Sequence, residues 1–422
     1  MMNPLYNTGL QLYRLGARIA ASRSAKIKKM VDGQSHVFRY LSEHIRPGER
    51  WIWIHAASLG EFEQGRPLIE MIKEREPSAK ILLTFFSPSG YEVRKDYDKV
   101  DAVCYLPFDT ASLSRRFLDA VNPSMAIFIK YEFWGNYLTE LRRRGTPTYL
   151  VSAIFRRDQS FFKWWGCWFR DMLSCFTRIY VQDQHSVKLL ASIGIKDVRI
   201  TGDTRLDRVS DIKNKPLKTP SLTAFTAGSP LTLIAGSSWE PDEDIYIPWL
   251  NSHPDVKAII APHEFDPARL ARLKERVDGR ALLLSEWSAH IDGGGDVADF
   301  ADVRAVIVDC FGQLSSLYRL GDIAYIGGGF GKSIHNINEA AVYGIPVVFG
   351  PHHAKFKEAA DLLSVGGAFS AADAAGITAV LDRLFADRDA RDAAGKAAAA
   401  YIASHIGATA HIFNDIFPPA GR

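Results

Sequence analysis

The sequence is poor in cysteine and almost balanced in charge, and each of these features excludes a class of protein. Four cysteines occur in 422 residues, without a C-x-x-C pair or a zinc-ligand spacing: Cys104, Cys167, Cys175 and Cys310. We therefore expect reduced thiols in a cytosolic protein, not a disulfide framework or a metal site. The formal net charge of +3 is too small, for a chain of this length, to indicate nucleic-acid binding.

The bulk composition is that of a soluble globular protein. Apolar residues make up 47% and charged residues 23% of the chain, and both values are ordinary. Because a single hydrophobic core stops growing beyond roughly 250–300 residues, a chain of 422 residues predicts two domains.

Residues 1–30 lack acidic side chains, and basic residues alternate there with apolar ones. The segment also lacks the ~18 consecutive apolar residues of a spanning helix and the cleavage site of a signal peptide. Such an amphipathic segment either lies in the membrane interface or packs on the protein's own surface, and the sequence leaves both open. The stretch 160–173 (SFFKWWGCWFRDML) interleaves aromatic residues with Lys163 and Arg170, which indicates core packing in part and an interfacial patch in part.

Short apolar runs alternate with helix-like segments along the chain. In the first half, the predicted strands are 51–54, 80–85, 102–105, 125–129, 148–151 and 178–181. In the second half, they are 231–235, 256–260, 281–284, 305–308, 323–326 and 346–349. This alternation is typical of parallel sheets flanked by helices.

A segment rich in Lys, Pro, Ser and Thr separates the two halves. We predict residues 211–230 (DIKNKPLKTPSLTAFTAGSP) as a linker between a domain at 31–210 and a domain at 231–422 that ends in helices. The fold class is then α/β, with two Rossmann-like, doubly wound domains facing each other across a cleft. Ligands are expected at the carboxyl ends of the strands.

The segment 322–351 (DIAYIGGGFGKSIHNINEAAVYGIPVVFGP) carries the densest signal for ligand binding. A strand leads into the glycines at 327–329, and a helix is predicted to open near Asn336. Glycines allow close approach of a ligand, and helix N-termini offer free N–H groups to phosphate. Glu339 either interacts with the helix dipole or accepts hydrogen bonds from a ribose.

Two common nucleotide motifs do not fit this segment. Ile326 stands where a P-loop needs its first glycine, and Lys332 stands at the last glycine of a dinucleotide motif. A triphosphate-hydrolysing site is therefore disfavoured.

Five motifs follow one another along the chain: HAASLGE (55–61), TGDTRLD (201–207), AGSSWEPDED (235–244), VDCFGQLSSLY (308–318) and the run from the glycines at 327–329 through HNINEA to GIPVVFGPH. In order and spacing they resemble the motifs of 3-deoxy-D-manno-octulosonic acid (Kdo) transferases. These are GT-B glycosyltransferases of lipopolysaccharide synthesis. The resemblance covers about residues 51–363, most of the chain.

The resemblance implies a role for the turn at 51–64 (WIWIHAASLGEFEQ), which is more polar than a strand-to-helix turn requires. The family's proposed general base corresponds to Glu61, since an attacking sugar hydroxyl must lose its proton to a fixed acceptor. His55 and Ser58 are expected to orient Glu61 or to bind the acceptor. Gly60 is expected to let the loop turn so that the carboxylate faces the cleft. The alternative is a capped turn with a glutamate in the first helical turn.

Glu132, in IKYEFWGN, is the second candidate catalytic carboxylate. It follows the predicted strand 125–129, at the carboxyl end where sites collect, and it matches a functionally placed glutamate of the family. The alternative is a solvated side chain paired with Lys130.

The donor implied by the resemblance is CMP-Kdo, bound by the second domain. Its leaving group is a monophosphate, which cationic side chains and helix N-termini can stabilise, so neither a metal nor another cofactor is implied. The residues expected to line the donor site are Ser237, Ser238, His263, Gly312, Gly327, Gly328, Gly329, Asn336 and Glu339.

Two positions depart from the family pattern. His263, in APHEFD, replaces an arginine thought to contact the nucleotide, and Arg205 stands where lysine is usual. Because an imidazole changes charge near neutral pH, His263 is expected to make nucleotide affinity depend on pH or to be compensated elsewhere.

The resemblance therefore implies a peripheral or monotopic enzyme on the cytoplasmic side of the inner membrane. It is expected to transfer Kdo, with inversion, from CMP-Kdo to a lipid A precursor (lipid IVA), and to have no nucleic-acid partner. The alternatives are another GT-B transferase or epimerase that uses a UDP-sugar, and a non-catalytic protein that binds a membrane surface.

Overall fold

The computed structural model describes residues 4–46 and 48–418, which form two compact units. The first unit contains the chain up to Arg208 and the segment from Ile406 onward, and the second is Val209–His405. Each unit is built on one seven-stranded sheet whose strand pairs are parallel. The predicted fold class, two doubly wound parallel α/β sheets, is confirmed.

Strands and helices alternate throughout. The strands are β1 (Trp51–His55), β2 (Lys80–Phe85), β3 (Ala102–Tyr105), β4 (Met125–Ile129), β5 (Thr148–Ala153), β6 (Arg178–Val181), β7 (Val198–Ile200), β8 (Leu231–Ser238), β9 (Val256–Pro262), β10 (Arg280–Leu283), β11 (Val303–Ile307), β12 (Ile323–Ile326), β13 (Val347–Phe349) and β14 (Ala368–Ser370). The helices are α1 (Pro4–Ala20), α2 (Ala25–His44), α3 (Leu59–Arg75), α4 (Pro88–Arg94), α5 (Ala111–Val121), α6 (Gly135–Arg143), α7 (Cys167–Leu173), α8 (Gln184–Ser192), α9 (Thr204–Lys213), α10 (Leu222–Thr226), α11 (Glu240–Ser252), α12 (Pro267–Arg276), α13 (Leu284–Asp292), α14 (Leu314–Leu317), α15 (Asn338–Ala341), α16 (Lys357–Ser364), α17 (Ala374–Ala386), α18 (Arg388–His405) and α19 (Ala408–Ile416).

The first sheet has the strand order β3-β2-β1-β4-β5-β6-β7. The two tryptophans of β1 face one core and its two isoleucines face the other, so the strand is buried on both sides. A strand in this position is a continuous apolar run, which is why WIWI predicts it. The winding of the chain reverses between β1 and β4, and such a reversal leaves a crevice at the carboxyl ends of the strands.

The second sheet has the strand order β10-β11-β9-β8-β12-β13-β14. Its winding reverses between β8 and β12, which are direct neighbours. Each unit therefore has one crevice of the kind that binds ligands in open α/β sheets.

The segment 211–230, predicted as a linker, is packed on the second unit. Its α10 buries Leu222 and Phe225, and Lys218 Nζ donates a hydrogen bond to the Gly312 carbonyl at 2.7 Å. The polar composition misled the prediction because two apolar residues three positions apart are enough for one buried helical turn.

Helix α19 belongs to the first unit, although 231–422 was predicted as one domain. The Asp207 carboxylate accepts hydrogen bonds from Gly407 N (2.5 Å), Thr409 N (2.7 Å) and Thr409 Oγ1 (2.5 Å). The two backbone N–H groups among these donors lie at the start of α19 and have no acceptor within the helix. The apolar side of α19 then joins the core beneath the first sheet.

Helix α1 contains most of the amphipathic segment, and one edge of it is docked on the first unit. Tyr6 Oη donates to Asp109 Oδ2 at 2.5 Å and accepts from Gly135 N at 3.2 Å. Asn136 Nδ2 donates to Asn7 Oδ1 at 2.9 Å. Burial raises the pKa of the Asp109 carboxyl to about 7.

The other side of α1 is open and apolar. Its large exposed side chains, with their exposed fractions, are Leu5 (79%), Leu12 (65%), Leu15 (56%) and Ile19 (64%). The segment is therefore docked along one edge and presents apolar surface along another, while residues 1–3 lie outside the described part. Within the described residues, no helix is both long and apolar enough to cross a membrane.

We expect Asp207→Ala to destabilise the first unit by about 2 kcal/mol, because two backbone N–H groups and one hydroxyl lose their acceptor. For a unit of this size this corresponds to a fall in melting temperature of roughly 4–8 °C. The measurement is thermal unfolding followed together with limited proteolysis after residue 405. Asp98→Ala, on an exposed residue of the same unit with only a 3.8 Å pair to Lys99, is the matched control. Equal shifts in both variants would contradict the role of Asp207.

Candidate functional site

The acceptor-site residues predicted from the sequence lie at the carboxyl edge of the first sheet, where β1 and β4 are neighbours. His55 ends β1, Ser58 caps α3, Glu61 lies in the first turn of α3, and Glu132 follows β4. His55 and Glu132 are 77 positions apart in the sequence but 3.0 Å apart in space, measured from Nε2 to Oε2. The winding reversal therefore assembles all the candidate polar groups at one edge.

His55 is completely buried and fixed through both ring nitrogens. Its Nδ1 lies 3.1 Å from the Thr84 carbonyl oxygen and 2.9 Å from Thr84 Oγ1. Because a carbonyl oxygen only accepts, Nδ1 carries a proton. Trp53 Nε1 donates to Thr84 Oγ1 at 2.8 Å and so holds the threonine in place.

Glu132 is a buried carboxylate, only 7% exposed. Its Oε2 lies 3.0 Å from His55 Nε2 and accepts from Trp134 Nε1 at 2.6 Å. Trp134 Nε1 is also 3.0 Å from His55 Nε2. His55 therefore donates to Glu132 when its ring is doubly protonated and accepts from Trp134 when it is neutral. The predicted alternative, a solvated Glu132 paired with Lys130, does not fit this burial.

Glu61 lies at the third position of α3 and is partly buried. Its Oε2 accepts hydrogen bonds from Ser58 N and Ser58 Oγ, each at 2.9 Å. Burial raises the pKa of the Glu61 carboxyl and the nearby Glu132 carboxylate raises it further, while the bonds from Ser58 lower it. The capped-turn interpretation is thus correct locally, and the same carboxylate is also perturbed as a general base would be.

The expected turn role of Gly60 is wrong. Gly60 lies in the first turn of α3, its φ is outside the left-handed region, and an added Cβ would meet no described atom within 4 Å. The turn is made instead by Ser58, whose backbone is extended with φ −138° and ψ 171°. The absent side chain leaves open surface next to Glu61.

The predicted donor residues of the second unit follow β8 and β12. Ser237 has φ 52°, a conformation that residues with a Cβ adopt rarely. The Ser238 hydroxyl is completely buried, donates to Glu243 Oε1 at 3.0 Å and accepts from Tyr246 Oη at 3.1 Å. Ser238 is therefore bonded inside the unit, and a donor contact is expected from Ser237 and not from the Ser238 side chain.

The three glycines after β12 are buried against the unit's own backbone. A Cβ on Gly327 would lie 2.3 Å from the Ser237 carbonyl oxygen, and one on Gly329 would lie 2.5 Å from Gly350 N. Gly328 has φ 89°. These glycines are required for close packing between strand ends, which is a different reason from the ligand approach that the sequence indicates.

Asp242 connects the two turns and was missed by the sequence prediction. Its Oδ2 accepts from Gly328 N at 2.8 Å and from Trp239 N at 3.0 Å, and its Oδ1 accepts from Tyr325 Oη at 3.1 Å. Burial raises the pKa of the Asp242 carboxyl, and the hydrogen bonds from Gly328 and Trp239 oppose this. An acidic residue three positions after a strand-to-helix turn is the capping signal that could have identified it.

An aromatic stack adjoins these turns. The His263 ring stacks on both Trp239 and His335, with centroid distances of 4.5 Å to each. Trp239 and His335 are themselves in contact, since Trp239 Nε1 donates to His335 Nε2 at 3.2 Å. Burial, together with the charge of His263, lowers the pKa of His335 to about 4. His263 is exposed, so it is the member of the stack that an anion can reach.

Asn336 and Glu339 form a second polar group with Ser315. Glu339 Oε1 accepts from Asn336 Nδ2 at 3.0 Å and Oε2 accepts from Ser315 Oγ at 2.5 Å. The helix predicted to open near Asn336 is α15, which begins at Asn338 and has only four residues. Its dipole is therefore small, and the side chains carry more of the site than the prediction assumed. Gly312, also predicted here, is exposed with φ 78°.

Among the described residues, no group of three or more His, Cys, Asp and Glu side chains is arranged to hold a metal ion.

Solved structures place this arrangement in the GT-B class, the two-sheet α/β fold shared by glycosyltransferases and sugar-nucleotide epimerases. MurG from Acinetobacter baumannii matches with a TM-score of 0.53 and 12% identity, covering 87% of this chain and 99% of that one. The UDP-GlcNAc 2-epimerase from Neisseria meningitidis, bound to UDP-GlcNAc, matches with a TM-score of 0.56 and 13% identity, covering 84% and 99%. At these identities the likeness shows the fold.

The relatives found by sequence share one name. A family model described as 3-deoxy-D-manno-octulosonic-acid transferase matches residues 15–208. The 3-deoxy-D-manno-octulosonic acid transferase of Bordetella pertussis is 28% identical over 377 residues, covering 85% of each chain. The enzyme of the same name from Haemophilus influenzae is 26% identical over 385 residues, covering 88% of each. Over most of its length the chain is thus similar to Kdo transferases, which are glycosyltransferases.

We expect Glu132→Gln to move the acid limb of the pH–activity profile to lower pH. Removing the negative charge beside Glu61 lowers the pKa of Glu61, so the base stays deprotonated in more acidic solution. The measurement is kcat/KM for transfer as a function of pH. Glu74→Gln, exposed on the same helix as Glu61, should leave the limb in place. A limb that stays fixed, or moves to higher pH, in Glu132→Gln would contradict the coupling.

Proposed function

We propose that the protein is an inverting glycosyltransferase that moves Kdo from CMP-Kdo to a lipid A precursor, lipid IVA, on the cytoplasmic side of the inner membrane. The observation that carries the proposal is the placement of Glu61 beside Glu132 and His55 at the winding reversal of the first sheet. A carboxyl whose pKa is raised by burial and by a second carboxylate is suited to take a proton near neutral pH.

The proposed step is a single displacement. The acceptor hydroxyl attacks the anomeric carbon of Kdo, its proton passes to Glu61, and the bond from that carbon to the CMP phosphate oxygen breaks. Attack on the side opposite the leaving group inverts the anomeric configuration. Glu132 and His55 keep their hydrogen bond and hold the charge next to Glu61, so they act as positioning residues.

The donor is proposed to bind in the second unit. The exposed ring of His263 contacts the phosphate of CMP, whose charge it neutralises when protonated. The Glu339 carboxylate accepts hydrogen bonds from Asn336 and Ser315, and this polar cluster is proposed to bind the ribose hydroxyls of the donor. The glycines at 327–329 fix the backbone against which the donor lies.

The UDP-sugar alternative rests on the solved structures. These structures share the fold with this chain at 12–13% identity, and an identity this low gives no support for a shared substrate. The named sequence relatives, in contrast, are Kdo transferases. A non-catalytic binding protein would not require polar side chains to be gathered in hydrogen-bonded clusters in both units, as Glu61, Glu132, Asn336 and Glu339 are.

Membrane association is proposed from helix α1 and the segment after β5. Leucines and an isoleucine of α1 are exposed, and Trp164 is 91% exposed. This many exposed apolar side chains usually mark a surface that contacts a membrane or another protein. The basic residues of α1 would contact anionic headgroups beside this face.

We expect Glu61→Gln to lower turnover by roughly 10²–10⁴ with little change in CMP affinity, because the amide keeps the shape but cannot take the proton. The measurement is mass spectrometry of products formed from CMP-Kdo and lipid IVA, alongside calorimetry of CMP binding. Glu74→Gln is the control. Wild-type turnover in Glu61→Gln would remove Glu61 from the mechanism, and absence of a Kdo product with the wild-type chain would overturn the proposed reaction.

We expect CMP affinity, relative to the variant His263→Arg, to fall about tenfold between pH 5.5 and 8.5, as the hydrogen bond from a charged ring is lost. An imidazole loses its charge in this range, whereas arginine does not. His335, with a pKa of about 4, is uncharged throughout. The CMP phosphate gains charge equally in both proteins, so the ratio of affinities isolates His263.

Calorimetric titration of CMP at the two pH values, with and without a chelator, is the measurement. Chelator should leave both affinities unchanged, because the proposed donor site uses protein groups only. A constant ratio would show that His263 does not contact the phosphate. Strong chelator sensitivity would contradict a metal-free site.

A further inference from the structure

A cavity of about 200 Å³ lies among α1, α2 and the start of α5, next to the segment that follows β3. Three arginines from two of these helices line it: Arg14, Arg18 and Arg116. Gln34 and Ser35 of α2 complete its polar lining, and no acidic side chain contributes. A cavity with this lining has a positive potential.

The three arginines have no acidic partner among the described residues. Ion pairs involving other arginines of the first unit are common, as between Arg144 and Glu140 at 2.8 Å, but none involves Arg14, Arg18 or Arg116. Arg116 is held by the Phe38 ring, whose centroid lies 3.9 Å from its guanidinium carbon. Like charges gathered around one cavity repel each other, and an anion placed between them relieves this.

Gln34 gives independent evidence for a ligand. Its side chain is only 8% exposed, and neither its Nε2 nor its Oε1 has a hydrogen-bond partner. Buried polar groups nearly always have partners, so an amide without one on a cavity wall indicates a group that binds there. The amide nitrogen offers two N–H donors to that group.

The residues that line the cavity favour a phosphate over a carboxylate as its ligand. Guanidinium groups match tetrahedral and planar oxyanions with paired N–H donors, and a phosphate monoester carries about −1.5 to −2 charges at neutral pH. Three arginines and one amide donor suit that charge better than the single charge of a carboxylate. The positive end of α5, an eleven-residue helix whose first turn lines the cavity through Leu113, adds to the same potential.

The exposed apolar side chains of α1 beside the cavity favour a lipid as the source of this phosphate. Arg14 and Arg18 are one turn apart on α1, and Leu15 and Ile19, next to them in sequence, are 56% and 64% exposed. An anion in the cavity therefore lies beside an open apolar face. We propose that this cavity binds the phosphate monoester of a lipid headgroup while the apolar face of α1 contacts the acyl region. The inference rests on the proposed membrane association of α1, and it is independent of sugar transfer.

The test measures the preference of the full chain for vesicles of phosphatidylcholine with phosphatidic acid, a monoester, over vesicles with phosphatidylglycerol, a diester, at matched surface potential. We expect a preference in the wild type that falls about tenfold in Gln34→Met, which removes the amide donors without changing charge. Replacing an unpaired buried amide by an apolar side chain of similar size should leave the melting temperature unchanged or higher. Arg14→Gln/Arg18→Gln should reduce the preference at least as much.

The matched control is Arg23→Gln/Lys26→Gln, which removes two charges from the same part of the chain but outside the cavity lining. It should weaken binding to both vesicles equally and keep the preference. Equal preference in wild type, Gln34→Met and Arg14→Gln/Arg18→Gln would overturn the phosphate site. Binding of inorganic phosphate alone that depends on Gln34, without a preference between the vesicles, would overturn the lipid source.

The same samples separate this inference from the proposed function. Wild-type protein that binds both kinds of vesicle equally well and also binds CMP overturns only the cavity assignment. Wild-type protein that binds neither vesicle overturns the cavity assignment and the membrane association together, while CMP affinity continues to report on the donor site.

Discussion

The site in the first unit depends on one constraint: β1 must pair with β4, although β2 and β3 lie between them in the sequence. Parallel strands require right-handed crossovers, so the helix after β1 and the helix after β4 are sent to opposite faces of the sheet. Helix α3 packs in one core and α6 in the other. No helix covers the strand ends between α3 and α6. Polar side chains can therefore lie there, at the edge of an otherwise apolar interior.

That edge is polar but rigid, because each buried group is bonded to another. Thr84, on the strand next to β1, fixes the proton of His55 at Nδ1, and the opposite ring nitrogen faces Glu132. A buried carboxylate without such partners would be destabilising. Glu61 is less buried than Glu132 and is bonded to Ser58 through Oε2. The proposal that Glu61 takes the proton rests on this greater exposure, and the neighbouring Glu132 carboxylate raises the pKa of Glu61.

The sequence predicts the parts of this structure that depend on local pattern. Strands buried on both faces are long apolar runs and were found with small errors at their ends, whereas β7 and β14 are three-residue edge strands with too few apolar residues to detect. The packing of 211–230 on the second unit and the attachment of α19 through Asp207 depend on partners far along the chain. The same holds for Asp242, whose partner Gly328 is 86 positions away. Motifs identify which residues are at the strand ends, but hydrogen-bond partners are set by the fold.

Backbone strain is found at these same strand ends. Lys130 follows β4 with φ 66°, and Ser237, near the end of β8, has φ 52°. A left-handed conformation costs a residue with a Cβ of order 1–3 kcal/mol, and it persists only where the surroundings hold it. Lys130 is held because its N–H bonds to Val151 O at 2.8 Å, which turns the chain out of the sheet just before Glu132. Ser237 is held by the glycine packed against its carbonyl and is followed by a serine whose hydroxyl is bonded inward. In both units, the chain leaves the sheet at a strained residue that a neighbouring segment fixes, and candidate site residues lie at that position or within two positions of it.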